Sequence, residues 1–306
     1  MSMQIVFTQI LIIFLYIIVG FAAGKTGLIN PEQRRYLTKL CTDLILPFTV
    51  LSASSQKIGS DELKELFLGL IMMFVLLTLT TLLSLMYHRL RKSSDAVKAT
   101  FTSLITYPNC TFLGLPLCVA LFGNIAILYN AMAMIAFNVL FFSVQFTLFS
   151  GKSFNIKNLI TPPMVSTVIL ILMLLLGIST EGAPETVIKA IGSMITPLSL
   201  IIIGVMVSEN NLLEILKEKR AYVITLLRNI LIPALALLML IPMPGDPMSK
   251  LCMLVYLSCP CATLTTIYAI QYDREPELAA RSALMSTLFF AVSLPLVILA
   301  GQSLLR

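Results

Sequence analysis

Charged side chains are scarce in this 306-residue sequence. Asp, Glu, Lys and Arg make up 12% of the residues and hydrophobic residues 58%, whereas soluble proteins carry about 25% charged residues. This composition excludes a soluble domain of any size and a basic nucleic-acid-binding module. Because the mean hydropathy is +0.95, we expect nearly the whole chain to lie in a lipid bilayer as an all-α integral membrane protein.

Residues for metal, cofactor and ATP chemistry are equally scarce. His88 is the only histidine, and one residue separates Cys259 from Cys261, not the two of a redox or zinc motif. No phosphate-binding Gly-x-x-x-x-Gly-Lys-Ser/Thr motif occurs, and no nucleophile with a base or pair of membrane carboxylates stands out. We therefore expect no metal, no cofactor, no enzyme and no ATP-driven pump.

Ten apolar segments are long enough to cross a bilayer, which takes about 20 residues. They are residues 5–24, 36–55, 65–87, 97–122, 126–149, 161–179, 187–207, 221–241, 250–271 and 278–302. Most lysines and arginines lie in the loops that follow odd-numbered segments. The positive-inside rule therefore predicts that these loops are cytoplasmic and that both termini lie outside.

Short patterns recur in the two halves of the chain at offsets of 148 to 153 residues. The matched positions are Pro47 and Pro197, Lys64 and Lys217, Pro108 and Pro260, and Phe141 and Phe289. They divide the chain into five-segment repeats, 1–150 and 151–306. Since five is odd, the second repeat enters the membrane from the opposite side, which predicts an inverted repeat.

The stretch Pro108-Asn109-Cys110-Thr111-Phe112-Leu113-Gly114-Leu115-Pro116 cannot form an uninterrupted helix. In lipid, irregular backbone is tolerated only where it is buried in protein or lines a watery cavity. We therefore expect segments 4 and 9 to be broken helices that cross near the midplane. Secondary transporters commonly bind a small solute at such breaks.

Asn109 is the foremost candidate for substrate contact, because a carboxamide donates to a carboxylate while staying neutral. It could also cap the second half-helix, a role compatible with substrate contact. The further candidate substrate-binding residues at the breaks are Pro108, Thr111, Gly114, Pro116, Pro260, Cys261 and Thr263. The prolines and the glycine are expected to end helices so that N–H groups face an anion, and the threonines to bind solute or satisfy freed backbone groups.

Two charged residues lie well inside apolar segments. Arg228 could serve as counter-charge to an anionic substrate or as partner to a carboxylate, or it could snorkel to the cytoplasmic headgroups. Its neighbour Asn229 is expected to face another side of the helix. Asp43 could couple protons to transport, although its place near the cytoplasmic end of segment 2 also suits a solvated side chain. Asn138 and Gln145 are expected to form interhelical hydrogen bonds.

The run Pro108-Asn109-x-x-x-x-Gly114-x-Pro116 resembles the broken-helix motif of the auxin efflux carrier family. Segment 9 and the turn after it are similar to that family's penultimate span, with Pro260, Tyr268-Ala269-x-x-Tyr272 and Pro276. Segment 8 adds Arg228 and Pro233. The resemblance covers all ten segments, and the segment 4 motif is its most specific part.

This resemblance implies a ten-helix carrier that moves small organic anions by an elevator-like movement, in a fold shared with bile-acid-type sodium symporters. Two features depart from the family pattern. Residues 150–160 form a short link, as in compact microbial members, and residues 262–266 lack a second proline. The short link makes a bacterial inner membrane the expected location, and nothing supports auxin itself as the substrate.

The sequence therefore predicts a secondary transporter of small organic anions, such as carboxylates, driven by membrane potential or protons. Segments 3–5 and 8–10 would form the transport domain, and segments 1, 2, 6 and 7 a scaffold and homodimer interface. The alternatives are a sodium-coupled symporter with oxygen ligands around Asn109, Thr263 and Thr265, a transporter-like sensor, and a channel.

Overall fold

The computed structural model describes residues 3–56, 59–210 and 212–305. Helices dominate these ranges, which contain one isolated β-bridge and no β-strand. The prediction of an all-α membrane protein is confirmed.

Within the described ranges we distinguish thirteen helices, numbered in chain order. They are α1 (Gln4–Lys25), α2 (Pro31–Ser55), α3 (Asp61–Arg91), α4 (Asp95–Thr106), α5 (Cys110–Phe122), α6 (Ile125–Ser150), α7 (Pro162–Leu175), α8 (Ala183–Ser208), α9 (Leu212–Lys217), α10 (Lys219–Leu240), α11 (Pro247–Ser258), α12 (Thr263–Gln271) and α13 (Pro276–Leu304). A 3₁₀ turn, Ile156–Leu159, lies between α6 and α7.

Seven of the described helices are long and apolar enough to cross a membrane: α1, α2, α3, α6, α8, α10 and α13. The helices α5 and α7 are apolar but shorter. The predicted segments 4 and 9 each correspond to two short helices in succession, α4 with α5 and α11 with α12. The chain is thus a multi-pass membrane protein, and the number of ten spans stays a prediction.

Several helices begin at a side-chain cap, which satisfies backbone N–H groups that have no partner inside the helix. Asn30 and Gln33 form a reciprocal capping box in front of α2, with both hydrogen bonds at 2.9 Å. The Asp246 carboxylate accepts from the backbone N–H groups of Met248 and Ser249 at the start of α11. These local signals fix where the helices start.

Four π-helical turns interrupt the described helices. They span Cys41–Ile45 in α2, Cys110–Gly114 in α5, Phe141–Gln145 in α6 and Leu227–Leu231 in α10. The first, second and fourth each end two residues before a proline, namely Pro47, Pro116 and Pro233. A proline lacks an N–H and clashes with the carbonyl four residues earlier. That carbonyl lies inside the wider turn in all three cases, so the π-turn accommodates the proline without ending the helix.

The chain divides into two compact units. The first comprises the described residues of Met1–Phe67, Thr111–Ile135 and Ile160–Asn211, and so includes α1, α2, α7 and α8. The second comprises Leu68–Cys110, Ala136–Leu159 and the described residues of Leu212–Arg306, and so includes α4 and α9 to α13. Three of the unit boundaries fall within helices, namely α3, α5 and α6.

In the first unit, α1 packs along α8 through glycines that allow the two backbones to touch. A Cβ atom on Gly20 would lie 2.1 Å from the Ile201 carbonyl oxygen, and one on Gly204 would lie 2.0 Å from that of Ile17. Gly24, four residues after Gly20, faces the Ser208 hydroxyl. Such small-xxx-small spacing is typical of close helix packing in membranes.

We predict that Gly20→Leu destabilises the protein by at least about 2 kcal/mol, because backbone atoms cannot yield to the new side chain. Ala22→Leu on the exposed side of the same helix is the matched control. The six described cysteines are all buried, so thermal unfolding in detergent can be followed with a thiol-reactive fluorogenic dye. Equal melting temperatures for the two variants would contradict the close packing of α1 on α8.

Candidate functional site

Two helix breaks in the second unit are paired with each other. The first break, Tyr107–Asn109, follows α4, and the second, Cys259–Ala262, follows α11. Pro108 and Cys261 form an isolated antiparallel bridge. The Asn109 N–H donates to the Pro260 carbonyl at 2.7 Å, and the Ala262 N–H donates to the Tyr107 carbonyl at 2.9 Å. Each break thus supplies the hydrogen-bond partners that the other lacks, and we call this arrangement the crossover.

The prolines explain why the helices stop where they do. A proline disfavours the α conformation in the residue before it. Tyr107 precedes Pro108 with φ −94° and ψ 118°, and Cys259 precedes Pro260 with φ −55° and ψ 149°. Both residues are extended, so each half-helix ends just before its proline and the following residues are free to pair.

Arg228 binds the carbonyl ends of both half-helices. It lies in the π-turn of α10 and is 1% exposed. Its Nε donates to the Cys259 carbonyl at 2.8 Å. Its terminal nitrogens donate to the carbonyls of Ile105 and Thr106, at 3.1 and 3.2 Å, and to that of Leu257. The guanidinium therefore does not snorkel, and no carboxylate pairs with it among the described residues.

Asn229 supports the second break through a buried serine. The Asn229 amide donates to the Ser286 carbonyl at 2.9 Å and its oxygen accepts from the Ser286 hydroxyl at 2.6 Å. The Ser286 oxygen in turn accepts from the Cys261 N–H at 3.2 Å. Asn229 was expected to face another side of the helix than Arg228. Asn229 bonds to Ser286 of α13 and Arg228 to the ends of α4 and α11, and both side chains, each 1% exposed, serve the crossover.

Asn109 reaches across the crossover to the start of α12. Its side-chain Nδ2 donates to the Thr263 hydroxyl at 3.1 Å. Asn109 is buried, whereas Thr263 is half-buried. Two residues further along α12, the Thr265 hydroxyl lies 2.7 Å from that of Ser103 on α4. Neutral polar side chains therefore line the side of the crossover at which α12 begins.

The remaining candidates lie in the first unit. Thr111 and Gly114 belong to the π-turn that opens α5, and Pro116 follows in the first turn of regular α-helix. Asp43 lies in the π-turn of α2, where it is exposed and accepts from the Thr42 hydroxyl at 3.1 Å. The structure thus brings together Pro108, Asn109, Pro260, Cys261 and Thr263, with Arg228 beside them.

Two cysteine thiols lie at the crossover: Cys259 belongs to the second break, and Cys110 directly follows the first. Their thiols face the backbone carbonyls of Tyr256 and Val255, at 3.8 and 3.4 Å. Among the described residues, no group of three or more Cys, His, Asp or Glu side chains could hold a metal ion.

An aromatic cluster against the first break was not foreseen from the sequence. The Tyr107 ring, fully buried, packs edge-on against Phe137 and Phe141 of α6, with centroids 5.1 Å apart in both pairs. Phe141 packs in turn on Tyr268 of α12. The available signal was the recurrence of aromatic residues along segment 5. Gln145, on the same helix, donates to the Ala99 carbonyl at 2.6 Å, as expected for an interhelical hydrogen bond.

The sequence model of a family described as membrane transport protein matches the chain twice, over residues 5–152 and 143–298. The chain belongs to this family, the auxin efflux carrier family. The resemblance drawn from the Pro108–Pro116 stretch is therefore confirmed. Family membership indicates that the protein is a membrane transporter. Among curated proteins, none matches the chain.

We predict that Ser286→Ala destabilises this transporter. The change removes the donor to Asn229 and the acceptor for the Cys261 N–H, and a buried polar group left without its partner costs about 1–3 kcal/mol. The control is Ser303→Ala, also on α13, whose exposed hydroxyl bonds only to the Ala300 carbonyl of its own helix. The test is thermal unfolding in detergent, and a Ser286→Ala melting temperature equal to that of the control would be the contrary result.

Proposed function

We propose that this auxin efflux carrier family member is a secondary transporter of small organic anions and that the crossover is its binding site. The observation that carries the proposal is the pairing of two helix breaks in one compact unit. Broken helices meeting in this way are the usual substrate site of secondary transporters. Asn109 and Thr263 provide the polar side chains there.

The chemistry of the crossover favours an anion. Asn109 and Thr263 are neutral hydrogen-bond donors that can bind a carboxylate without a permanent charge of their own. The helix α12 begins at Thr263, and the Ala262 side chain at its N-cap has no oxygen to cap the first N–H groups. The N-terminus of a helix carries about half a positive charge, which attracts carboxylates. A bound carboxylate would replace the present hydrogen bond between Asn109 and Thr263.

The proposed architecture is two inverted five-helix repeats with ten spans, in which α4 with α5 and α11 with α12 are the broken spans. The two matches of the family model, one in each half of the chain, support it. We propose elevator-type alternating access with spans 1, 2, 6 and 7 as scaffold. The helices assigned to that scaffold, α1, α2, α7 and α8, all lie in the first unit. That unit also includes Thr111–Ile135, which the sequence assigned to the transport domain.

The proposed setting is a bacterial inner membrane with both termini outside, and the proposed assembly is a homodimer formed through the scaffold. Membrane potential or protons would drive transport. A sodium-coupled symporter is the alternative, and the oxygen-rich surroundings of α12 favour it as second candidate. The Thr263 hydroxyl accepts from the Asn109 amide, and the Thr265 hydroxyl two residues later pairs with that of Ser103.

We predict that a small carboxylate raises the melting temperature of the purified wild-type protein and that Asn109→Ala abolishes this shift. A ligand that binds only the folded state must stabilise it. Asn109→Asp should lose the shift as well, because it places a negative charge at the site. The panel is acetate, lactate, succinate, malate and citrate, each as sodium and as potassium salt.

Asn155→Ala, in the exposed link after α6, is the control and should keep the wild-type shift. A shift retained in Asn109→Ala would place the site elsewhere, and a wild-type protein that responds to none of the anions would overturn the anion proposal. A shift seen only with sodium salts would favour the symporter.

We predict the topology from the ten-span model. Cysteines introduced at Gln4, Glu181 and Ser303 should react in intact cells with a membrane-impermeant maleimide, because these positions are expected outside. Cysteines at Lys92 and Lys152 should react only after the cells are opened. Labelling that places Gln4 and Ser303 on opposite faces would contradict an even number of spans.

A further inference from the structure

Arg228 is the largest fully buried side chain of the described chain. A guanidinium has five N–H donors, and the structure engages it in four hydrogen bonds. All four acceptors are backbone carbonyls, two at the end of α4 and two at the end of α11. With one N–H for each of these bonds, a single donor remains on Nη2, so the guanidinium cannot form the two parallel hydrogen bonds with which arginine usually holds a carboxylate.

The charges of these groups balance. The C-terminal end of a helix carries about half a negative charge, from carbonyls without a partner inside the helix. Two such ends meet at the crossover, so together they present about one negative charge. Arginine stays protonated at physiological pH, and its single positive charge offsets the two helix ends.

Without this compensation the crossover would repel an anion. The interior of a protein screens charges weakly, so uncompensated carbonyl ends would act on any solute bound nearby. With Arg228 in place, the positive N-terminal end of α12 and the neutral donors Asn109 and Thr263 determine how the crossover interacts with a bound solute. Arg228 then sets the sign of the electrostatic potential at the crossover without contacting the solute.

We infer that Arg228 is a specificity-determining residue: it neutralises the carbonyl ends of α4 and α11 and thereby makes the crossover select anions, without contacting the substrate. This inference rests on the proposed function. It differs from the counter-charge role expected from the sequence, because the donors of the guanidinium are used by the protein itself.

The test compares Arg228→Gln, which removes the positive charge, with Arg228→Lys, which keeps the charge but cannot form all four hydrogen bonds of the guanidinium. Arg281→Gln is the control, since it removes a positive charge that is ion-paired with Glu277 and Glu214 in the same unit. Affinities for the carboxylates of the panel above are measured from the concentration dependence of the melting temperature. Circular dichroism reports whether each variant is folded.

An electrostatic effect at a distance scales with the charge of the ligand and ignores its shape. Arg228→Gln should therefore lower the affinity for monocarboxylates such as acetate and lactate by a common factor of about ten. It should lower the affinity for the dicarboxylates succinate and malate by a factor of about a hundred. Arg228→Lys should melt at a lower temperature yet bind each anion within about threefold of wild type, because the charge remains. Arg281→Gln should bind as wild type does.

The inference is overturned if folded Arg228→Gln binds the carboxylates as tightly as wild type. It is also overturned if folded Arg228→Lys loses as much affinity as Arg228→Gln, or if the losses follow ligand shape and not charge. If Arg228→Gln fails to fold, Arg228→Lys decides the matter alone. A wild-type protein that binds none of the anions would refute the proposed function, and the inference with it, before any variant is compared.

Discussion

Every polar group of the backbone must find a partner within a membrane protein, because the hydrocarbon offers none. The crossover is where this requirement is hardest to meet, since two helices stop inside the same unit. The structure meets it with two reciprocal backbone hydrogen bonds and with two side chains from neighbouring residues of α10. Arg228 donates hydrogen bonds to the carbonyls at the ends of α4 and α11. Asn229, through Ser286, supports the N–H of Cys261.

The same constraint explains where the other irregularities of the helices lie. Pro47, Pro116 and Pro233 would each leave a carbonyl without a donor in a regular helix. A π-turn accommodates each of these prolines. The π-turn in α10 includes Arg228 and Asn229, the two residues that serve the crossover. π-turns are frequent at functional sites. The helix that holds the crossover in place is thus itself distorted at the point of contact.

The parts of this architecture that depend on local chemistry could be predicted from the sequence. Long apolar runs mark the helices, and Pro108 and Pro260 mark the breaks, because a proline acts on its own neighbours. Arg228 could be singled out as a buried cation, but its partners are backbone carbonyls, which have no sequence signature. The Asn229–Ser286 pair spans 57 residues, and Gly204 opposite Gly20 belongs to another helix. Only the tertiary structure connects such positions.

The separation of the two breaks along the chain has a consequence for how the protein is made. Asn109 and its partner Thr263 are 154 residues apart, and domains generally form in order from the N-terminus during synthesis. Through most of translation, the first break therefore has no partner for its backbone and no arginine for its carbonyls. The crossover can therefore assemble only after α12 has been synthesised, late in the formation of the second unit.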